Sequence, residues 1–279
     1  MLFRSPFLVP MMMPNASGAA ISMRYGLRGP NETITTACAA STHAIGYAAR
    51  MIAWGMIDAC VSGGSESAGC RIGVNSFGNM TALSTEGRSV PFSPERDGFV
   101  LGEGAAAFML EEWSLAEGRG ATIYGEVLGA ASNADAHHIT APAPGGVGAI
   151  ACMRLALADA GLEPGDIKQV NAHGTSTPLN DAAEAAAVTA VFGPRGVPVV
   201  STKGVTGHAL GAAGALEAAA VLLSMQHGLI PPTAGTTQLD EGFTIDLVMG
   251  QARPWTPGPA MSNSLGFGGH NGSIILGPA

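Results

Sequence analysis

The stretch Ile34–Gly55, ITTACAASTHAIGYAARMIAWG, places one thiol, Cys38, between alanines at the head of a run of small and apolar residues. Ile45, Ala49 and Ile52 fall on one helical face, so the spacing predicts a helix from Cys38 to about Trp54. The β-branched run ETITTA before it predicts a short strand. A thiol at such a junction lies beside unsatisfied backbone N–H groups and the positive end of the helix dipole. Both favour the thiolate, and the same N–H groups could hold an oxyanion when the sulfur attacks a carbonyl. Taken alone, a cysteine here is more often a packing residue than a nucleophile.

Working outward, helices alternate with short apolar strands. DACVSGGSES reads as a buried strand ending in a glycine turn, and AAAFMLEE as another strand. Beyond Ala121 the order is strand (ATIYGEVLGAASN), helix stopped by Gly161, strand (IKQV), helix (LNDAAEAAAVTAVFG), strand (VPVV), helix (AGALEAAAVLLSMQHG) and a last strand (NGSIILG). This alternation predicts an α/β layered protein of two successive halves, joined near residues 113–121.

Composition narrows the function. Hydrophobic residues make up 47% and charged residues 12%, so the chain buries a large core rather than staying disordered. The net charge of −8 and the lack of a Lys/Arg stripe argue against nucleic acid as a partner. Cys38, Cys60, Cys70 and Cys152 are irregularly spaced with no Cys-x-x-Cys pair, which argues against a zinc site or a disulfide framework and makes a reducing cytoplasm the default. No run approaches a membrane-spanning length, and the apolar start MLFRSPFLVPMMMPNASG is broken by Pro6, Pro10 and Pro14, unlike a signal peptide.

Three polar loops follow predicted strands or lie near the C-terminus: NAHGTSTPLND, STKGVTGHALGAAG and SNSLGFGGHNGS. Ligands gather at the carboxyl ends of strands in α/β sheets, so His173, Lys203, His208 and the turn 266–269 are expected to share a cleft with Cys38. Lys203 leaves an apolar strand in a segment otherwise free of charge, which makes it a candidate for burial paired with Glu217. His43, His137, His138, His227 and His270 read as ordinary turn or helix residues, with His43 pointing away from Cys38. Cys60, Cys70 and Cys152 read as structural.

Together these segments resemble a known family. GPNETITTACAASTHAI is similar to the active-site segment of β-ketoacyl synthases, NAHGTSTPLND and STKGVTGHALGAAGALEA to that family's two histidine motifs, and SNSLGFGGHNGSII to its C-terminal gate loop. All four occur in the family's order, and the likeness runs from about Ser5 to the end. It is nearest to the stand-alone elongating synthases of dissociated fatty-acid synthesis.

The resemblance implies a thiolase-like α/β/α/β/α layering, with residues 1–115 as the remaining part of an N-terminal half and 116–279 as the C-terminal half. It implies that Cys38 carries the growing acyl chain, that His173 and His208 bind a malonyl thioester and promote its decarboxylation, and that Lys203 with Glu217 sets their electrostatics. The N–H groups of Cys38 and Phe267 would form the oxyanion hole, with Phe267 as gate. Thr175, Thr177 and Thr140 would bind a phosphopantetheine arm, and Phe77 would line the acyl pocket. No metal or resident cofactor is implied, since the phosphopantetheine arrives on an acyl carrier protein; a homodimer in the cytoplasm is. Two departures stand out. Family members have a further strand–helix region, roughly a third of the whole, ahead of the segment at Ser5, so a truncated gene model or a chain completed by another polypeptide is expected. Leu265 stands where the family often has a second phenylalanine. A dissociated polyketide ketosynthase and an inert or non-catalytic subunit remain the alternatives; a chain-length partner would generally lack the cysteine.

Overall fold

The computed structural model describes residues 6–279, so Met1–Ser5 of the expected first half lie outside it. Residues up to Thr35 and residues from Thr36 onward form two separately packed groups. In the first, the short helix α1 (Leu8–Met12) precedes α2 (Ala16–Tyr25). Gly26, at φ +66°, ends α2 in the left-handed cap that glycine adopts without a Cβ penalty. The following segment folds back so that Asn31 faces Gly18. Residues 31–36 join no strand ladder among the described residues, against the expectation for ETITTA. β-branched residues favour extended backbone, but a strand also needs a hydrogen-bonding neighbour.

The second group begins with a 3₁₀ turn, Ala37–Ala39, that runs into α3 (Ala40–Ala53). β1 (Ala59–Glu66), α4 (Arg71–Asn79), β2 (Gly104–Glu111), α5 (Trp113–Gly118), β3 (Glu126–Ala134), α6 (Val147–Ala160), β4 (Gln169–Asn171), α7 (Pro178–Phe192) and β5 (Pro198–Val200) follow. The chain ends with α8 (Lys203–Thr206), α9 (Ala213–His227), β6 (Leu229–Ile230), β7 (Asp246–Leu247), β8 (Arg253–Pro254), β9 (Ala260–Gly266) and β10 (His270–Gly277). As expected, α6 stops at Gly161, whose φ is +66°. The expected join near 113–121 falls on α5 and the turn after it.

β1 and β2 pair antiparallel in a sheet of their own. The main sheet has the order β3-β10-β9-β4-β5-β7: antiparallel across β3, β10 and β9, parallel from β9 to β7. Helices α3 and α9 lie between the two sheets. α3 packs on β1 and on β3 and β10, while α9 packs on β1 and β2 and on β9 and β10. The far face of the main sheet carries α6, packed in turn on α7. Ile45, Ala215, Ala218, Val221 and Ile274 fill the inner layer, and Cys152, Met153, Leu157, Val188 and Ile275 the outer one.

Small residues let these layers approach. A Cβ at Gly214 of α9 would come 2.0 Å from Thr42 Oγ1 of α3, and one at Gly46 would come 2.7 Å from the Ala130 methyl. Burial of alanine-rich helices at such distances is how a chain with little aromatic content reaches interior packing density.

The segment SNSLGFGGHNGS, read from sequence as a loop, is instead mostly strand. Ser262–Gly266 belong to β9 and His270–Ser273 to β10, leaving only Phe267–Gly269 as a hairpin turn. Its serine and asparagine side chains are buried and hydrogen-bonded: Ser273 Oγ donates to Asn263 Oδ1 (2.8 Å), and Ser264 Oγ pairs with Thr42 Oγ1 of α3 (2.7 Å). Pairwise satisfaction removes the cost that would otherwise exclude them from a central strand.

Candidate active site

Cys38 lies in the 3₁₀ turn just before α3, in an elbow whose preceding residue, Ala37, has φ +50°. A non-glycine residue in that region is strained, and such strain persists only where the surroundings fix it. Ala39 N–H donates to Thr36 O (3.1 Å), closing the turn. Gly266 at the end of β9 lies against it: a Cβ there would come 2.9 Å from Thr36 O and 3.2 Å from Cys38 N. Cys38 is buried, and the backbone N–H groups of Phe267 and Cys38 itself are aimed at its sulfur.

His173 lies two residues beyond the end of β4. Its loop is strained, with Gly174 at φ +36° and Ser176 at φ +67°, and two buried carboxylates of α7 hold it. Glu184 accepts from His173 N–H (2.7 Å) and Gly174 N–H (2.8 Å); Asp181 accepts from Thr175 N–H (3.0 Å) and Phe92 N–H (2.8 Å). Neither carboxylate was singled out from the sequence. The available signal was two acids three residues apart in the first turns of a helix that otherwise reads as alanine, on the face turned to the histidine loop.

His208 is fixed through its main chain, its N–H donating to Val100 O (2.7 Å) and its carbonyl accepting from Gly102 N–H (3.0 Å). Its Nε2 lies 3.0 Å from Cys38 Sγ. The His173 ring stands edge-on to it at 5.1 Å, and Phe99 stands edge-on at 5.3 Å on another side, backed by Phe77 at 5.4 Å. Lys203 is buried behind His173, where its ammonium donates to His173 O (2.6 Å), lies 3.4 Å from His173 Nδ1, and forms an ion pair with Glu217.

A cavity of about 390 Å³ joins these groups; its walls include Cys38, His173, His208 and Phe267. Thr175, Thr177, Thr140 and Phe77 line it too. Thr175 and Thr177 share a hydroxyl–hydroxyl bond of 2.9 Å. Lys203 and Glu217 sit behind the wall rather than in it. Leu265 also lines the cavity. Of the histidines set aside, His138 accepts from the N–H groups of Thr140 and Ala141 in an exposed turn (3.1 Å each). Among the other cysteines Cys152 is buried, whereas Cys70 is exposed and caps α4 by accepting from Gly73 N–H, a structural role other than packing.

The electrostatics correct one expectation. Burial pushes the Cys38 thiol up to about 11, and the Lys203 charge and the two N–H groups offset only part of that. Desolvation therefore outweighs the turn's N–H groups, and the resting sulfur is a thiol. Burial, then the Lys203 charge, holds His173 and His208 well below the ordinary histidine range, so both rings are neutral. Burial pushes Glu217 up to about 7 against the pull of Lys203.

Tautomers follow from the partners. An ammonium has only N–H groups to offer, so His173 Nδ1 facing Lys203 is an acceptor, and Nε2 carries the hydrogen. His208 Nδ1 is buried with no hydrogen-bond partner among the described residues, so no bond to Nδ1 pins that ring's tautomer. Ligand atoms of Cys38, His173 and His208 lie within 4.8 Å of one another, a spacing open to a soft metal. The Lys203 contact opposes it, because it makes the second nitrogen of His173 a donor rather than a lone pair.

Known proteins match the chain along most of its length. The sequence model for the β-ketoacyl synthase N-terminal domain matches residues 2–116, and that for the C-terminal domain matches residues 124–237. The 3-oxoacyl-[acyl-carrier-protein] synthase 2 of Coxiella burnetii is 45% identical, the match covering 98% of this chain and 67% of that protein. Its counterpart from Vibrio cholerae is 46% identical, with 98% and 68% covered. Among solved structures, a β-ketoacyl synthase from Burkholderia phymatum superposes with a TM-score of 0.95 at 38% identity, covering 99% of this chain and 68% of that one. A type II polyketide ketosynthase, solved bound to a hexaketide and in complex with its acyl-carrier protein, also reaches 0.95, at 32% identity with 99% and 69% covered. The layers described above are those of the thiolase-like ketosynthase fold, and this chain is a member of the β-ketoacyl synthase family.

Proposed function

We propose that the chain catalyses the decarboxylative Claisen condensation of fatty-acid elongation, joining an acyl group on Cys38 to a malonyl group delivered by an acyl carrier protein. The observation that carries the reading is the 3.0 Å approach of His208 Nε2 to Cys38 Sγ inside a cavity shared with His173. In the first step the sulfur attacks the acyl thioester carbon as its proton passes to His208 Nε2. The oxyanion is held by the N–H groups of Cys38 and Phe267. Collapse expels the pantetheine thiolate, which takes the proton from His208. The acylated sulfur no longer has a proton to share, and His208 is free to present Nε2–H in its other tautomer.

In the second step the malonyl thioester oxygen lies between the N–H groups of His173 and His208. Loss of carbon dioxide leaves an enolate whose negative oxygen these two donors stabilise. Its carbon attacks the acyl-cysteine carbonyl, and the C–S bond to Cys38 breaks, releasing the sulfur as a thiolate that a proton from solvent returns to the resting thiol. Lys203 with Glu217 keeps His173 in the donating tautomer. Thr175, Thr177 and Thr140 offer hydroxyls to the phosphopantetheine arm, Phe77 packs against the acyl chain, and Phe267 gates the second substrate. Residues 1–115 would serve as the nucleophile half and 116–279 as the histidine half of a homodimer. Higher identity to the fatty-acid relatives (45%) than to the polyketide ketosynthase (32%) favours the fatty-acid reading.

Intact-mass spectrometry after incubation with acyl carrier protein loaded with a long acyl chain tests this. One acyl adduct is expected on Cys38 and none on Cys38→Ala. Failure of the wild-type chain to form it overturns the reading.

A further inference from the structure

His43 sits in the first turns of α3, outside the cavity, and takes no part in the reaction proposed above. Its ring bridges the two segments that flank the site. Nδ1 lies 2.8 Å from Thr36 Oγ1, and Nε2 lies 3.0 Å from Asn271 O. A carbonyl can only accept, so Nε2 carries the hydrogen and Nδ1 accepts from the Thr36 hydroxyl. Both nitrogens are then satisfied and the tautomer is pinned, unlike that of His208. The site is shaped for the ring: a Cβ at residue 272 would come 2.9 Å from its Cδ2 and Nε2, and the residue there is Gly272. Burial keeps the ring below the ordinary histidine range, so this neutral bridge is the form present near pH 7.

The two anchors matter for what they hold. Thr36 supplies the carbonyl that closes the nucleophile elbow and precedes the strained Ala37. Asn271 is the second residue of β10 after the hairpin turn that carries Phe267, and its side chain donates to Asp135 Oδ1 (2.7 Å) and Asn133 Oδ1 (2.9 Å), which fixes it to β3 and the loop beyond. One donor of the proposed oxyanion hole, Cys38 N–H, is on the elbow, and the other, Phe267 N–H, is on the hairpin turn. Their separation depends on how elbow and hairpin sit against each other. Gly266 makes that contact by close packing, and the His43 ring makes it by hydrogen bonds to both sides.

We infer that His43 is a positioning residue that sets the spacing of the two main-chain donors of the oxyanion hole; its catalytic consequence rests on the function proposed above. His43→Phe keeps a ring and removes both bonds. His43→Gln restores an acceptor and a donor on one amide. Thr36→Val removes the Nδ1 partner and leaves the ring in place. Each is made in the full 279-residue chain and read by hydrogen exchange of peptides spanning residues 34–41 and 265–271, acyl transfer to Cys38, and alkylation of Cys38 by iodoacetamide.

In His43→Phe, exchange in both peptides is expected to rise and acyl transfer to slow, each by about tenfold or more. Alkylation, which forms no oxyanion and feels the two N–H groups only through their pull on the thiolate, is expected to fall by clearly less than acyl transfer. His43→Gln is expected to recover most of both losses. Thr36→Val, the variant to rely on if His43→Phe does not fold, is expected to show the same split between transfer and alkylation. Exchange in these peptides that stays within about twofold of wild type, or alkylation that falls in step with acyl transfer, overturns the inference. Should wild type transfer no acyl group, the proposed function falls, and the exchange measurements alone still decide whether His43 holds the elbow to the hairpin.

Discussion

Cys38 is where opposing tendencies are most finely set. The backbone N–H groups and Lys203 pull its sulfur towards the anion, and burial pushes it towards the thiol, with burial ahead and the group at about 11. Reactivity with a small alkylating agent is therefore expected to climb about tenfold per pH unit from 7 to 10, because the thiolate fraction grows by that factor at every pH below the pKa. Peptide-resolved mass spectrometry checks this. It must be peptide-resolved because Cys70 is exposed and labels as well. A rate that levels off near pH 7 would mean a thiolate at rest, as the position of the sulfur at a helix start had suggested. Sequence showed where the thiol sits along the chain. It did not show that the same fold would strip away its water, because burial is a property of the elements that close over it.

Among the elements, α7 does the most for the site: its first residues, Pro178, Leu179 and Asn180, line the cavity, and two of its carboxylates hold the loop behind. Glu184 and Asp181 grip the His173 loop through three backbone N–H groups, Asp181 also accepts from Phe92 N–H, and burial pushes these carboxyls to about 7 and about 6. The folded Glu184 carboxyl keeps its proton to a higher pH than the ordinary 4.5, so its contribution to stability is complete below about 4.5 and is lost as pH rises through 7. Glu184→Gln sets an amide NH₂ against a backbone N–H and is expected to cost about 1–3 kcal/mol. The gap from wild type should narrow between pH 5 and pH 8 in urea unfolding; a gap that widens would contradict the burial of this group. The helices α3, α6, α7 and α9 were legible from their small-residue and apolar spacing and, for α6, from its glycine stop. β9 was not, since SNS shows no apolar alternation and its burial depends on partners at Thr42 and Ser273. The carboxylates of α7 were legible only as a spacing, because their targets are main-chain groups that no side-chain pattern reveals.

For the whole molecule, the chain spans about two thirds of the length of the relatives it matches. Among the described residues β1 and β2 form a sheet of two strands. Val61 and Met109, directly paired across it, are 39% and 59% exposed. A two-stranded sheet with open edges and an apolar outer face is prone to associate. The chain is expected to sediment as an associated species at micromolar concentration, and Val61→Lys with Met109→Lys to shift it towards monomer. Sedimentation velocity that shows monomer for both proteins would remove this face as the cause.

Gly266, wedged against the elbow, carries one more implication. The donors aimed at the sulfur belong to the main chain, and the residue that seats them has no room for even a methyl group. An inhibitor anchored on those two N–H groups would press on main-chain atoms rather than on exchangeable side chains. Resistance would have to arise in the surrounding walls, at residues such as Leu265 and Phe77, or at residues such as His43 that set where those groups stand.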